Sequence, residues 1–250
     1  MRSSLRNNKL IAIAGLKGSG KDSAAHMLEY LLNAPAPFRS YFWYKIFKKW
    51  PGKWQTTAFA KPLKQTLSIL LNKPLEWFED RYNKENMFVH LDTLLVVDRS
   101  VIQESDNKLS ENKFSKLIKT GEPFPEETYL SVRQLMQYYG TEVMRKYIGD
   151  STWINATLNA CTNRPTIISD LRFMVEYDEV KARGGEVWYI ARADCIPGSH
   201  RSEWEVIEME NHNMFDHVFV NDYSLQDLYE TIKYVCYGRK RNNNKTSRYR

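Results

Sequence analysis

The stretch Gly15-Leu16-Lys17-Gly18-Ser19-Gly20-Lys21-Asp22 constrains this chain more than any other. It matches G-x-x-x-x-G-K and lies between an apolar run, Lys9 to Ala14, and an amphipathic run, Lys21 to Leu32. A buried strand before the motif and a helix after it form the context in which such a loop binds a nucleoside triphosphate. Gly15, Gly18 and Gly20 let the backbone turn, so that successive N–H groups, with that of Ser19 among them, face phosphate oxygens. The helix beginning at Lys21 adds its positive dipole end. Lys21 is expected to reach the β and γ phosphates of ATP. Asp22 stands where Ser or Thr usually meets magnesium. A carboxylate is also a hard oxygen ligand for Mg2+, directly or through water, and Ser23 follows it. A glycine-rich turn that merely caps a helix would explain the glycines, but not the lysine between strand and helix.

The rest of the chain alternates apolar strands with amphipathic helices, which predicts a parallel α/β sheet flanked by helices, of the P-loop NTPase type. Strands are expected at Trp54 to Ala60, Thr166 to Ser169, Glu186 to Ala191 and His217 to Val220. Pro62 opens a helix at its first turn, and Ser224 caps the last one. Two regions break the rhythm. Phe38 to Trp54 holds eight aromatic and five basic residues, a composition that stacks on nucleic-acid bases or, more plainly, packs as an extra helix or hairpin beside the first helix. Residues 75–130 form a polar, mostly helical insertion, placed where small-molecule kinases cover the acceptor. One kinase domain over 1–238 is the expected organisation.

Net charge is +6. Residues 239–250 carry six basic side chains and no acid, which accounts for the whole excess and leaves a neutral body. The tail reads as a solvated, disordered end rather than a nucleic-acid contact. No apolar run reaches the roughly eighteen residues that span a membrane, and residues 1–10 lack a signal-peptide core. Three scattered cysteines without metal spacing fit reduced thiols in a cytoplasm.

GTPases need a base-reading Asn-Lys-x-Asp, which the sequence lacks, so the acceptor side must decide the reaction. In Ser131 to Thr141, Ser131 and Gln134 make a capping box. Arg133 and Gln137 then share a face four residues apart, where an arginine suits a phosphate and a glutamine a base edge. An ordinary solvated helix face explains the pair equally well. Asp170 ends the Thr166 strand and Arg172 follows, at the carboxyl end of a strand where doubly wound sheets bind ligands. A strand-end Asp capping the next helix is the plainer alternative.

These blocks together resemble the bacteriophage deoxynucleoside monophosphate kinase family: 15–22, Val-Arg-x-Leu-Met-Gln-x-x-Gly-Thr at 132–141, Trp153, Asp-x-Arg-x-x-x-Glu at 170–176, and Asn221-Asp222-x-Ser224-Leu225. The resemblance implies an adenylate-kinase-like fold with an acceptor lobe and a lid over about 193–215. It implies that Lys17, Arg133, Gly140, Thr141, Trp153, Asp170, Arg172 and Glu176 line the acceptor site. Arg81 would be a further phosphate-binding arginine, and Arg192 or Arg201 would approach ATP. Catalysis would rest on Lys21, Lys17, Arg133, Asp170 and Arg172, with ATP and a deoxynucleoside monophosphate as partners. A homodimer is compatible with this reading. Glu203, Glu205, Glu208 and Glu210 make the lid stretch more acidic than a phosphate lid suggests. The rival readings are another small-molecule kinase, of the dephospho-coenzyme A or phosphomevalonate type, and a nucleic-acid-binding NTPase.

Overall fold

The computed structural model describes residues 9–102, 107–161, 163–198 and 201–238, so the basic tail lies outside the described residues. In chain order the first elements are β1 (Leu10–Ala14), α1 (Lys21–Asn33), α2 (Tyr41–Phe47) and β2 (Gln55–Thr57). There follow α3 (Lys61–Leu71), α4 (Arg81–Asn86), β3 (Met87–His90), β4 (Val96–Asp98), β5 (Asn107–Lys108), α5 (Glu111–Thr120), β6 (Thr128–Ser131) and α6 (Val132–Gln137). A π-helical stretch, Tyr138–Arg145, leads to α7 (Thr152–Ala160). The chain closes with β7 (Thr166–Leu171), α8 (Met174–Ala182), β8 (Glu186–Ala191), α9 (Arg201–Asn211), β9 (His217–Val220) and α10 (Leu225–Tyr237).

These elements form two compact units, one from Met1–Phe59 with Ala156–Arg250 and one from Ala60–Asn155. The first unit is built on a five-stranded sheet ordered β2-β7-β1-β8-β9, all of it parallel. Parallel strands buried on both faces read as unbroken apolar runs. Ile11, Ala12, Ile13 and Ala14 of β1 and Val187, Trp188, Tyr189 and Ile190 of β8 are buried accordingly. The P-loop-type parallel sheet expected from the alternation is therefore present. Helices α1 and α10 bring Met27, Leu28, Leu31, Leu228 and Ile232 into one core cluster with Ile13 and Ile190. Ser224 starts α10 as anticipated, accepting the Asp227 N–H at 3.2 Å.

The aromatic segment belongs to this core rather than standing apart. Tyr44 of α2 stacks on Tyr229 of α10 at 5.2 Å and meets Tyr30 of α1 edge-on at 5.4 Å. Phe38 stacks on Trp50 at 4.9 Å, and the Asn33 side chain holds both backbone groups of Trp54 at 3.0 Å. Tyr44 is buried in this packing while Phe42 and Phe47 stay exposed, so the segment packs as an extra helix beside the first one.

The second unit combines the expected helices with something the pattern did not announce, a four-stranded sheet ordered β4-β3-β6-β5. Its strands are two to four residues long, too short for alternation to register. Leu67, Phe78, Val89, Phe114, Leu130 and Val132 form its separate core. The insertion read at 75–130 lies inside this unit.

Leu228 is 1 % exposed in the first core. Leu228→Ala is expected to cost about 2–5 kcal/mol, read as a lowered denaturant midpoint; a wild-type midpoint would contradict the packing of α10.

Candidate active site

Because the sheet is parallel, the carboxyl ends of β1, β7, β8 and β9 lie along one edge, and each carries polar chemistry there. The glycine-rich loop leaves β1 and is held from behind by the neighbouring strand ends. Asn221, buried just past β9, donates from its side-chain amide to the Ser19 carbonyl at 2.8 Å, while its own N–H reaches the Ala191 carbonyl at 2.8 Å. Gly20 is left-handed, with φ 93°, and a Cβ there would stand 2.5 Å from the Asn221 amide nitrogen. At Gly15 a Cβ would come within 2.9 Å of the Ile190 carbonyl. Both glycines are thus demanded by close approach.

Lys21 begins α1 and is only 6 % exposed. Burial pushes its ammonium below the ordinary lysine value, and the Arg172 guanidinium adds to the shift. Asp22, Asp170 and Glu203 act in the opposite sense, so these five groups share one field. Among the expected residues, Lys21, Asp22, Asp170 and Arg172 are thereby brought together. Lys17 and Asp22 are exposed, Ser19 is buried, and Ser23 is half-buried. Asp170 also does structural work, accepting the Phe59 N–H at 2.6 Å. Glu176 is 2 % exposed. Its carboxylate is turned to the N–H groups of Arg172 and Phe173 at 2.8 and 3.1 Å, which fixes the turn presenting Arg172.

The stretch expected as a lid begins at Ala193, whose N–H meets the Asp222 carboxylate at 2.8 Å. Arg192 pairs with Asp194 at 2.8 Å and has one nitrogen 3.5 Å from the Gly18 carbonyl. Arg201 is turned to Glu205 at 2.5 Å. Three of the four acids noted in this stretch are spent within the fold, while Glu208 is exposed. Glu203 accepts the Gly198 N–H at 2.5 Å, Glu205 that of Met174 at 2.7 Å, and Glu210 the Tyr189 hydroxyl at 2.8 Å.

The other expected residues lie in the second unit. The capping box of α6 is formed as read, with Ser131 accepting the Gln134 N–H at 3.2 Å. Arg133 reaches the Glu85 carboxylate at 3.2 Å, and Arg81 reaches the same oxygen at 3.4 Å. Gln137 and Thr141 are half-buried. Trp153 is 6 % exposed and donates its indole N–H to the Gly140 carbonyl at 2.9 Å, so both serve the packing of the π-helical stretch.

Among the described residues no three His, Cys, Asp or Glu side chains form a metal cage. Exposed Asp22 and half-buried Asp170 suit a cation that keeps most of its shell as water and phosphate, as magnesium does. Asn221, Glu203 and Glu85 were not read as site residues. The strand-end position of Asn221 and the four-residue spacing of Glu85 from Arg81 were the available signals.

A family model described as deoxynucleotide monophosphate kinase matches residues 79–232, more than half of the chain. No curated protein matches it. Among the described residues no helix is long and apolar enough to cross a membrane.

Two outcomes follow from the geometry. Lys21 is held below its ordinary value, so its charge costs stability in full below its native value. That cost fades as pH climbs through the native value toward 10.5. Lys21→Met should therefore raise the unfolding midpoint at pH 7 while nearly abolishing turnover; a less stable variant would overturn the sign. Asn221→Ala removes the bond to the Ser19 carbonyl and should weaken triphosphate binding about three- to tenfold, measured by titration of the folded variant. Unchanged affinity would show that the loop holds itself.

Proposed function

The chain belongs to the deoxynucleotide monophosphate kinase family, and from that we propose that it transfers the γ-phosphoryl group of ATP to a deoxynucleoside monophosphate. The observation that carries the ATP half is the buried Lys21 at the end of a loop clamped against the sheet edge, with Arg172 and Asp170 in the same field. An oxygen of the acceptor's phosphate attacks the γ-phosphorus in line. The bond to the β,γ-bridging oxygen breaks, and ADP leaves with that electron pair. Protein contributions to such a transfer are positioning and charge neutralisation rather than covalent chemistry.

Each group has a part suited to its surroundings. The Lys21 ammonium, already desolvated, acts on the triphosphate with little water to screen it. Loop N–H groups from Gly15 to Lys21 hold the β phosphate, and exposed Lys17 is free to follow the transferred group. Arg172, fixed by the Glu176 cap on its backbone, offers a fork to phosphate oxygens. Asp22, with Asp170, would hold Mg2+ directly or through water, and the ion would neutralise charge on the bridging phosphates. Arg133 and Arg81 would take the acceptor's phosphate, with Gln137 toward its base. Closure of the stretch beginning at Ala193 would keep water from the γ-phosphate.

A coupled ADP-release assay across deoxy and ribo monophosphates tests this reading. Turnover confined to dephospho-coenzyme A or phosphomevalonate, or ATP hydrolysis driven only by added DNA, would reject it. Arg172→Ala and Asp170→Asn are expected to depress kcat/KM for the monophosphate at least tenfold, about 1.4 kcal/mol of transition-state stabilisation, and to affect equilibrium ATP binding less than transfer. Wild-type turnover in both variants would leave Asp170 as a strand-end cap and move the acceptor site elsewhere.

A further inference from the structure

In the second unit a single carboxylate oxygen, Oε1 of Glu85, lies 3.4 Å from Nε of Arg81 and 3.2 Å from Nη2 of Arg133. The two guanidinium groups come from different helices, and both helices are held by their own start signals. Asp80 caps α4 by accepting the Asn83 N–H at 2.9 Å. Buried Gln134 ties the first turn of α6 to the Leu109 carbonyl at 3.2 Å and to Glu111 at 2.9 Å. The convergence on Glu85 is thus set by backbone that is pinned independently of the ion pairs. The pairs themselves are open to water, with side chains 81 % exposed at Arg81, 39 % at Glu85 and 42 % at Arg133. Exposed pairs of this kind contribute little to stability, so breaking them costs the fold almost nothing.

Two arginines aimed at one oxygen form a fork for an oxyanion. We infer that Glu85 is the resident counter-anion of this fork, holding the place that an acceptor phosphate takes and giving it up when the acceptor binds. The inference rests on the acceptor reading of Arg81 and Arg133. A phosphate monoester brings more charge and more acceptor oxygens than the carboxylate it replaces. A neutral nucleoside brings neither and leaves Glu85 in place. Glu85 therefore makes the site selective for a dianionic phosphate end, and it weakens every acceptor by the cost of its own displacement.

Glu85→Gln keeps the shape and removes the charge. At low ionic strength this variant should show an acceptor KM about three- to tenfold below wild type, with kcat and the KM for ATP nearly unchanged. The gap should shrink as salt screens exposed charges. Titration of a deoxynucleoside monophosphate into the ATP-free variant should show the same tightening, so the result does not hang on turnover alone. An acceptor KM in Glu85→Gln that is unchanged or raised, while Arg133→Ala raises it, overturns the inference and makes Glu85 a brace for the guanidinium groups. A wild-type KM in Arg133→Ala overturns the acceptor reading beneath it.

Discussion

The burial of one cation organises the first unit. An ammonium group taken out of water is costly unless partners surround it, and Lys21 sits 6 % exposed at the edge of a hydrophobic sheet. The partners come from elements far apart in sequence, with Asp170 near the carboxyl end of β7 and Glu203 in α9, beyond β8, offsetting the desolvation. Only a parallel sheet puts the strand ends on one edge. The glycine-rich loop must also pass close behind the cation, which is why Gly15 and Gly20 have no room for a side chain and why Asn221 is positioned to hold the Ser19 carbonyl. Remove the parallel order and neither the counter-charges nor the clamp can reach the loop.

What could be read from the sequence divides along the same line. Strand β1, helix α1, the later strands β7, β8 and β9 and the caps at Ser131 and Ser224 were legible because each depends on local pattern. A parallel strand is a run of apolar residues, and a cap is a short spacing. The sheet of the second unit was not legible, since strands such as Val96–Asp98 and Asn107–Lys108 are shorter than one period of any useful pattern. The site divides similarly. Lys21, Asp22, Asp170 and Arg172 were expected from motif and strand-end position, and the fold puts their charges in one field. Asn221 had a strand-end position and a place in a motif but no readable contact, and Glu203 acts through a contact that sequence spacing does not encode. Glu176 and Trp153 could be named from a resemblance but not assigned a contact: one caps Arg172 and Phe173, the other bonds the Gly140 carbonyl.

The acidity of the stretch around α9 shows why composition misleads at such places. Counted along the chain, Glu203, Glu205 and Glu210 argue against an anionic ligand nearby. Placed in the fold, each is tied to a donor of the protein itself, on Gly198, Met174 and Tyr189. A carboxylate that accepts backbone or hydroxyl hydrogens has its field partly answered before any ligand arrives. The net sign that a phosphate would meet there depends on which charges stay uncommitted, and that is a property of contacts rather than of counts.

On the proposed function, the same reasoning separates two ways of keeping a cation ready for phosphate. Lys21 is kept by burial: water is removed, the charged form is disfavoured, and the folded chain carries that cost until a polyanion relieves it. Arg81 and Arg133 are kept by pairing: they remain solvated, share an oxygen of Glu85, and cost the fold little. A buried lysine gains more from an incoming phosphate because the low dielectric strengthens each interaction, but it cannot be released easily. A paired, exposed fork gains less and exchanges readily. In the proposed transfer those properties would suit different ends of the reaction, a firm hold where charge develops on the donor and a loose one where acceptor enters and product leaves.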